Sequence, residues 1–495
     1  MIRRLRVKVF KKVILLFIVA IFSCQPVKVE VPPAQTVEAP DRSGPPESSV
    51  PKKLILPEIQ TFVLSNGIPV YLMEKHSVPI VQIILQVNAG GIHDPEDKIG
   101  LASFTASMLD EGAGGKDALQ LADAMDFLGG NLSTGSGRYN STVSLNVPVA
   151  KLSEAMVLMA DVVLRPEFSE SELNRLKVRS LTSLLQERDR PNAIARAAYN
   201  KVLYGDHLFG RKIDESNIKL TSILDLKSFH KDHYISNNAS FIVAGDIDMA
   251  TMKEYLENHF GNWVAGDNVS IVIPQVPQVN ARTIYLVDKP GSAQSIIIIG
   301  RIAVSRYSED FYPITVMNTV LGGSFTSRLN NNLRETHGYA YGAGSRFSMG
   351  KHKGPFTASA SVQTDATDKA VGEFMNELNS IRENITEEEI KRAGNYVALC
   401  YPSRFETIGD YAIQMASLVS MELPLTTFND YTDGILDVSV DEALISAKKY
   451  IDTDNLVIVI VGDREKVESG IRDLELGAIN LWTINDVLGL PPSME

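Results

Sequence analysis

Two stretches of this chain recur at one fixed spacing, and that repetition limits the fold more than any other feature. Asn238–Asp246 (NASFIVAGD) is matched by Asn455–Asp463 (NLVIVIVGD), 217 residues further on. Phe168–Arg175 (FSESELNR) is matched by Ile385–Arg392 (ITEEEIKR) at the same offset of 217. Two separate segments sharing one offset argue for a duplication. A chain of 495 residues is also too long for one ordinary core. We therefore expect similar halves over 53–271 and 282–480, a linker at 272–281 marked by Pro274 and Pro277, and a tail over 481–495. Strands and helices mix within each half without regular βαβ alternation, so the class is α+β.

Local chemistry places the elements. Ser65-Asn66-Gly67 between Phe62–Leu64 and Ile68–Met73 is a hairpin signal. Ile80–Val87, Ser141–Val147 and Phe241–Ala244 read as strands. Gly100–Leu109, Ala118–Leu128, Ala150–Leu164 and Ser169–Arg188 read as helices. Ser169 and Thr386 each stand as an N-cap with an acidic residue three positions on, the capping-box pattern.

The first 23 residues differ from the rest. Arg3, Arg4, Arg6, Lys8, Lys11 and Lys12 precede an apolar run, Val13–Phe22, that is short for a membrane span. Basic, apolar, then a small residue is the order of a secretion signal. Ile21-Phe22-Ser23-Cys24 resembles a bacterial lipobox, whose Cys is acylated. The resemblance implies an anchor at Cys24, and the lack of Asp at position 25 favours the outer membrane. The region 24–52 is rich in proline and reads as a spacer standing the chain off that membrane. Only Cys24 and Cys400 exist, so a lipidated Cys24 leaves no disulfide and no cysteine metal cage. The whole chain carries −12, and loss of the six basic residues of the leader takes it to −18. That balance argues against a nucleic-acid partner.

Common catalytic motifs are missing. The sequence has no Gly-x-Ser-x-Gly elbow and no phosphate-binding glycine loop. No two of its eight histidines are four apart. His230 and His233, three apart, read as ordinary helix residues.

Gly100–Leu109 (GLASFTASML) strongly resembles the first-domain helix of the insulinase/pitrilysin peptidases, family M16, which include the mitochondrial processing peptidases. Asn66-Gly67, Tyr204-Gly205-Asp206-His207, Gly245-Asp246, Asp288-Lys289-Pro290-Gly291, Leu321-Gly322-Gly323 and Leu333-Arg334-Glu335 fit the same family, over most of 54–475. The resemblance implies two homologous domains, each a two-layer sandwich of sheet and helices. In active members this helix carries His-x-x-Glu-His, which binds zinc and activates water. Here those positions are Ser103, Ala106 and Ser107. The family's third ligand, a Glu, falls near Thr182–Leu185, and the next carboxylate is Glu187. Hydroxyls are poor zinc ligands and Ala106 can take no proton, so no catalytic zinc is expected in this chain.

Active members are completed by an Arg and a Tyr seven residues apart in the second half, and Arg334 and Tyr341 match that pair. Both can donate to a peptide carbonyl. A purely structural role for the two remains the alternative, and His337 between them reads as surface. In the family, substrate peptides add a strand to a sheet edge, which falls here at Gly129–Ser133. The resemblance thus implies a non-zinc subunit, inactive alone, facing the periplasm. A partner with intact His-x-x-Glu-His would bring zinc, and peptides would be the substrates. The alternative is an inactive scaffold or peptide-binding lipoprotein. An independent enzyme using Ser103 or Ser107 lacks a visible base.

Overall fold

In the first half, the alternating run Ser141–Pro148 buries every second side chain, as a strand with one face on a core must. Ile80–Val87 is buried on both faces and lies inside the sheet. The computed structural model describes residue 51, residues 54–268 and residues 270–494. Cys24, the leader and nearly all of the spacer lie outside the described residues. The described residues belong to one compact unit.

Two six-stranded sheets organise that unit. The first runs, edge to edge, Ile59–Val63, Pro69–Glu74, Ala239–Gly245, Ile80–Val87, Ser141–Pro148, Asn131–Ser136. Only Pro69–Glu74 and Ala239–Gly245 pair parallel. The second runs Ala340–Phe347, Gly354–Gln363, Gln294–Val304, Val457–Gly462, Thr283–Asp288, Ala478–Trp482. Helices flank both sheets, so the α+β, two-domain architecture expected from sequence is what the chain adopts.

The 217-residue offset runs through the structure. Helix Pro191–Tyr204 corresponds to Ile408–Ser420, and Ile223–His233 to Val440–Tyr450. The outermost strands break the correspondence. The first sheet is completed by Ile59–Val63, antiparallel, from before its first central strand. The second is completed by Ala478–Trp482, parallel, from the stretch running into the expected tail. That tail also forms helix Ile484–Leu488, whose Val487 is buried with residues of Pro191–Tyr204.

Each half lends a helix to the other's sheet. Pro191–Tyr204 lays Ile194, Ala198, Tyr199 and Leu203 against Ile296, Ile298, Val457 and Val459. Ile408–Ser420 packs on Ile80–Val87 and Ala239–Gly245, with Met415 in one core with Ile84 and Ile242. This reciprocal exchange buries the second face of both sheets, and the halves share core rather than merely touching.

The two expected caps differ. Thr386 closes a full capping box: its hydroxyl accepts from Glu389 N (3.2 Å) and Glu389 Oε2 accepts from Thr386 N (3.0 Å). Ser169 accepts from Glu172 N at 3.3 Å, but the Glu172 carboxylate turns to Arg175 instead, at 2.6 Å. The box expected there is half closed because an arginine one turn on competes for the carboxylate.

Candidate functional site

The helix that resembles the family's zinc-motif helix is Leu101–Met108. Gly100 precedes it at φ +96, where a Cβ would also stand 2.5 Å from Ile213 Cδ1. Only glycine suits that position. Asp94, nearly buried, accepts from Gly100 N (2.7 Å) and Ala102 N (2.8 Å) and so satisfies the free N–H groups of the helix start. Burial pushes the Asp94 carboxyl up to about 6 against the pull of those N–H groups and of Arg211. The sequence offered no signal for Asp94, because its role depends on an irregular connection.

Ser103 and Ser107 line a cavity of about 240 Å³. Its other wall comes from Leu176, Arg179, Ser180, Ser183 and Leu184 of helix Glu170–Glu187, with Ile213 and Ile218 beyond. Ala106 is fully buried. The cavity wall thus offers hydroxyls, a guanidinium and apolar carbon, and no imidazole, thiolate or carboxylate. Glu187, the next carboxylate after the third-ligand region, is held by Lys212 at 2.7 Å. Among the described residues no three His, Cys, Asp or Glu side chains cluster as metal ligands would. This donor set does not fit zinc.

The structure brings Arg334 and Tyr341 together. Helix Arg328–Asn330 widens into a π-helical turn, Asn331–Thr336, which carries Arg334. The chain turns at Gly338, φ +66, and enters strand Ala340–Phe347. A register shift between Ala340 and Ala343 takes Tyr341 and Gly342 out of the ladder. Bulges and π-turns both re-aim side chains. The guanidinium of Arg334 lies 5.3 Å from the centre of the Tyr341 ring, and Tyr341 is 89% exposed. On its other contact Arg334 meets Phe325, at 4.6 Å from that ring's centre, with Phe325 itself 64% exposed. Its ion pair, with neighbouring Glu335, is loose at 3.4 Å. Phe325 was missed in the sequence, where a phenylalanine beside Gly322-Gly323 reads as core. His337 is exposed and stacks on Tyr339 at 5.0 Å.

Other sequence candidates have structural work. Asn66 donates to Phe260 O (2.8 Å) and Trp263 O (3.0 Å). Gly245 passes within 2.3 Å, at its Cβ position, of Ile80 O. His230 bonds to Val163 O at 2.8 Å, and His233 packs on Phe229 and His93. Burial lowers the pKa of all three histidines, so they sit neutral in the fold.

The expected edge is present. Asn131–Ser136 pairs only with Ser141–Pro148 and ends the first sheet. Gly129, φ +64, turns the chain into it.

A duplicated α+β chain whose helix Leu101–Met108 resembles that of the zinc peptidases but carries Ser103, Ala106 and Ser107 defines a class, the relatives of two-domain zinc peptidases without that ligand set. The chain belongs to the insulinase peptidase family, family M16. A family model described as Insulinase (Peptidase family M16) matches residues 70–212, and one described as Peptidase M16 inactive domain matches 222–396. A Bacillus subtilis (strain 168) relative named an uncharacterized zinc protease, YmxG, is 25% identical over 341 residues, 68% of this chain and 81% of that one. A Helicobacter pylori (strain ATCC 700392 / 26695) relative named a non-peptidase homolog, YmxG, is 23% identical over 412 residues, 81% and 93% of the two chains. Among solved structures, a peptidase M16 inactive domain from Pseudomonas fluorescens superposes with a TM-score of 0.77 at 24% identity, covering 82% of this chain and 98% of that one. The first half of the periplasmic protease PqqL from Escherichia coli gives 0.71 at 14%, covering 86% and 97%. The structural likenesses establish the fold.

Proposed function

We propose that this chain is the non-zinc subunit of a periplasm-facing metallopeptidase complex, tethered through Cys24 to a bacterial membrane, with the outer membrane favoured. One observation carries this reading: Arg334 lies beside two exposed aromatic rings, Phe325 and the phenol of Tyr341, while the positions that match the family's metal motif are Ser103, Ala106 and Ser107. A guanidinium and a phenol so placed can both donate to the carbonyl of a peptide bond and to the negative charge that grows on its oxygen. A partner chain with intact His-x-x-Glu-His would bring the metal, the water and the base. This chain would bind, orient and polarise the peptide. The test compares peptide cleavage by this chain, by a co-expressed partner, and by both. A partner fully active alone, with no effect of Arg334→Ala in the mixture, would sink the reading.

A second reading has its own support. One relative is named a non-peptidase homolog, and the matching family model describes an inactive domain. On that reading the chain is a scaffold or peptide-binding lipoprotein. Peptide binding by this chain, together with a partner that cleaves equally well with and without it, would favour this second reading.

A further inference from the structure

The space where the family holds its metal has not closed up, and its present lining has a chemistry of its own. The hydroxyls of Ser103, Ser107 and Ser180 have no hydrogen-bond partner among the described residues, while the Ser183 hydroxyl donates to Arg179 O at 3.0 Å. Arg179 is the only charged residue of the lining. Among the described residues it has no ion pair within 4.0 Å, although Asp110, further off, feels its charge. Phe104, Leu176, Leu184, Ile213 and Ile218 form apolar walls. At about 240 Å³ the cavity has room for one amino-acid side chain, not for a folded partner.

Its position matters as much. Helix Leu101–Met108 packs on strand Asn131–Ser136, and Thr134 donates to Asp110 at 3.2 Å, just past the helix end. A peptide added to that open edge would run beside the cavity. The equivalent edge of the second sheet is blocked. There Ala343 N donates to Asn330 Oδ1 (3.2 Å) and Ser345 O accepts from Asn318 Nδ2 (3.1 Å), so side-chain amides occupy the outward backbone groups. No side chain does this to Asn131–Ser136 among the described residues. Strand addition therefore favours the first sheet.

Resting on the peptide-binding part of the reading above, we propose that the former metal cavity is a carboxylate pocket. It would receive an acidic side chain or the C-terminal carboxylate of a peptide on the Asn131–Ser136 edge, held by Arg179 and the serine hydroxyls. Guanidinium with hydroxyl donors is carboxylate chemistry, and with this lining a basic side chain would face Arg179 unpaired.

The experiment measures fluorescence anisotropy of labelled extended peptides on the mature full chain. One peptide, blocked at both ends, carries a single Glu; a second has Gln in its place; a third is the Gln peptide with a free C-terminal carboxylate. Because Arg179, Ser103 and Ser183 are exposed, the Glu peptide, the free-acid peptide, or both should bind about three- to fivefold more tightly than the blocked Gln peptide, and whichever gains identifies the source of the carboxylate. Arg179→Ala should erase that difference while the blocked Gln peptide binds as before; Ser180→Trp, which fills the cavity, should do the same. Equal binding of all three peptides, or a preference that survives Arg179→Ala, overturns the pocket and leaves peptide binding standing. Failure of every peptide to bind overturns both.

Discussion

The phenol of Tyr199 donates to the backbone oxygen of Phe356 at 2.7 Å, reaching from a helix of the first half into the sheet of the second. It enters over Gly300, where a Cβ would stand 2.2 Å from the Tyr199 oxygen and 2.0 Å from Phe356 O. The side chain is fully buried, which pushes its pKa up to a range where it stays a donor at every working pH. This contact keys the two halves together. Tyr199→Phe should cost about 0.5–1.5 kcal/mol, the net contribution of one buried hydrogen bond. Gly300→Ala should cost about 1–3 kcal/mol through overpacking. Urea titrations with an unchanged m-value would check both.

Phe325 should matter to any activity that uses Arg334. The guanidinium carbon lies 4.6 Å from the centre of its ring. A cation–π contact at an exposed site contributes about 0.5–1 kcal/mol. In an active complex, Phe325→Ala should lower kcat by about two- to fivefold with KM little changed, and Phe325→Tyr should restore it. Equal losses in Arg334→Ala and the Arg334→Ala/Phe325→Ala double variant would show that the ring acts through the arginine.

Glu389 should make the second half sensitive to acid. Burial opposes its ionisation, but Arg328 at 2.7 Å, on both carboxylate oxygens, and the Thr386 N–H outweigh it and hold the carboxyl down to about 2. A folded pKa below the ordinary 4.5 gives stability that is present above 4.5 and is lost as pH falls towards 2. Arg328→Ala should therefore destabilise at pH 7 by about 2 kcal/mol, as for a charged hydrogen-bond pair, and the gap to wild type should shrink below pH 4. Denaturation midpoints across that range would measure it.

Asn318 and Asn330 should act as edge guards. Asn330 also donates to Phe325 O at 2.7 Å, so its amide is held on both sides. Asn318→Ala/Asn330→Ala frees the outward groups of Ala343 and Ser345, and exposed edges recruit other strands. The double variant should self-associate at concentrations where wild type does not, as read by light scattering.

A zinc site should be buildable in this cavity. Ser103, Ser107 and Leu184 line one cavity. S103H/S107H should bind zinc weakly, and S103H/S107H/L184E should hold about one equivalent, the three-ligand arrangement of catalytic sites. Metal analysis after dialysis distinguishes them.

Much of this was legible in the chain. The offset seen in two peptide segments extends to paired helices and strands, because duplicated sequences repeat their local periodicity and caps together. That positions 103, 106 and 107 carry hydroxyl and methyl side chains, with no imidazole or carboxylate, is plain from residue type alone. The half-closed box at Ser169 was not, since a competing arginine one turn away decides it.

The sequence by itself determined the duplication, the class of fold, the spacing of Arg334 and Tyr341, and the hydroxyl and methyl side chains at positions 103, 106 and 107. All rest on short-range chemistry: periodicity, turn residues and side-chain identity. Tertiary structure alone decided which helix covers which sheet, that Phe325 backs Arg334, and that amides close one sheet edge and leave the other open. It also decided that Arg179 lines one cavity with Ser103 and Ser107. Those facts depend on register and on which faces meet across hundreds of residues, and no local pattern carries that information.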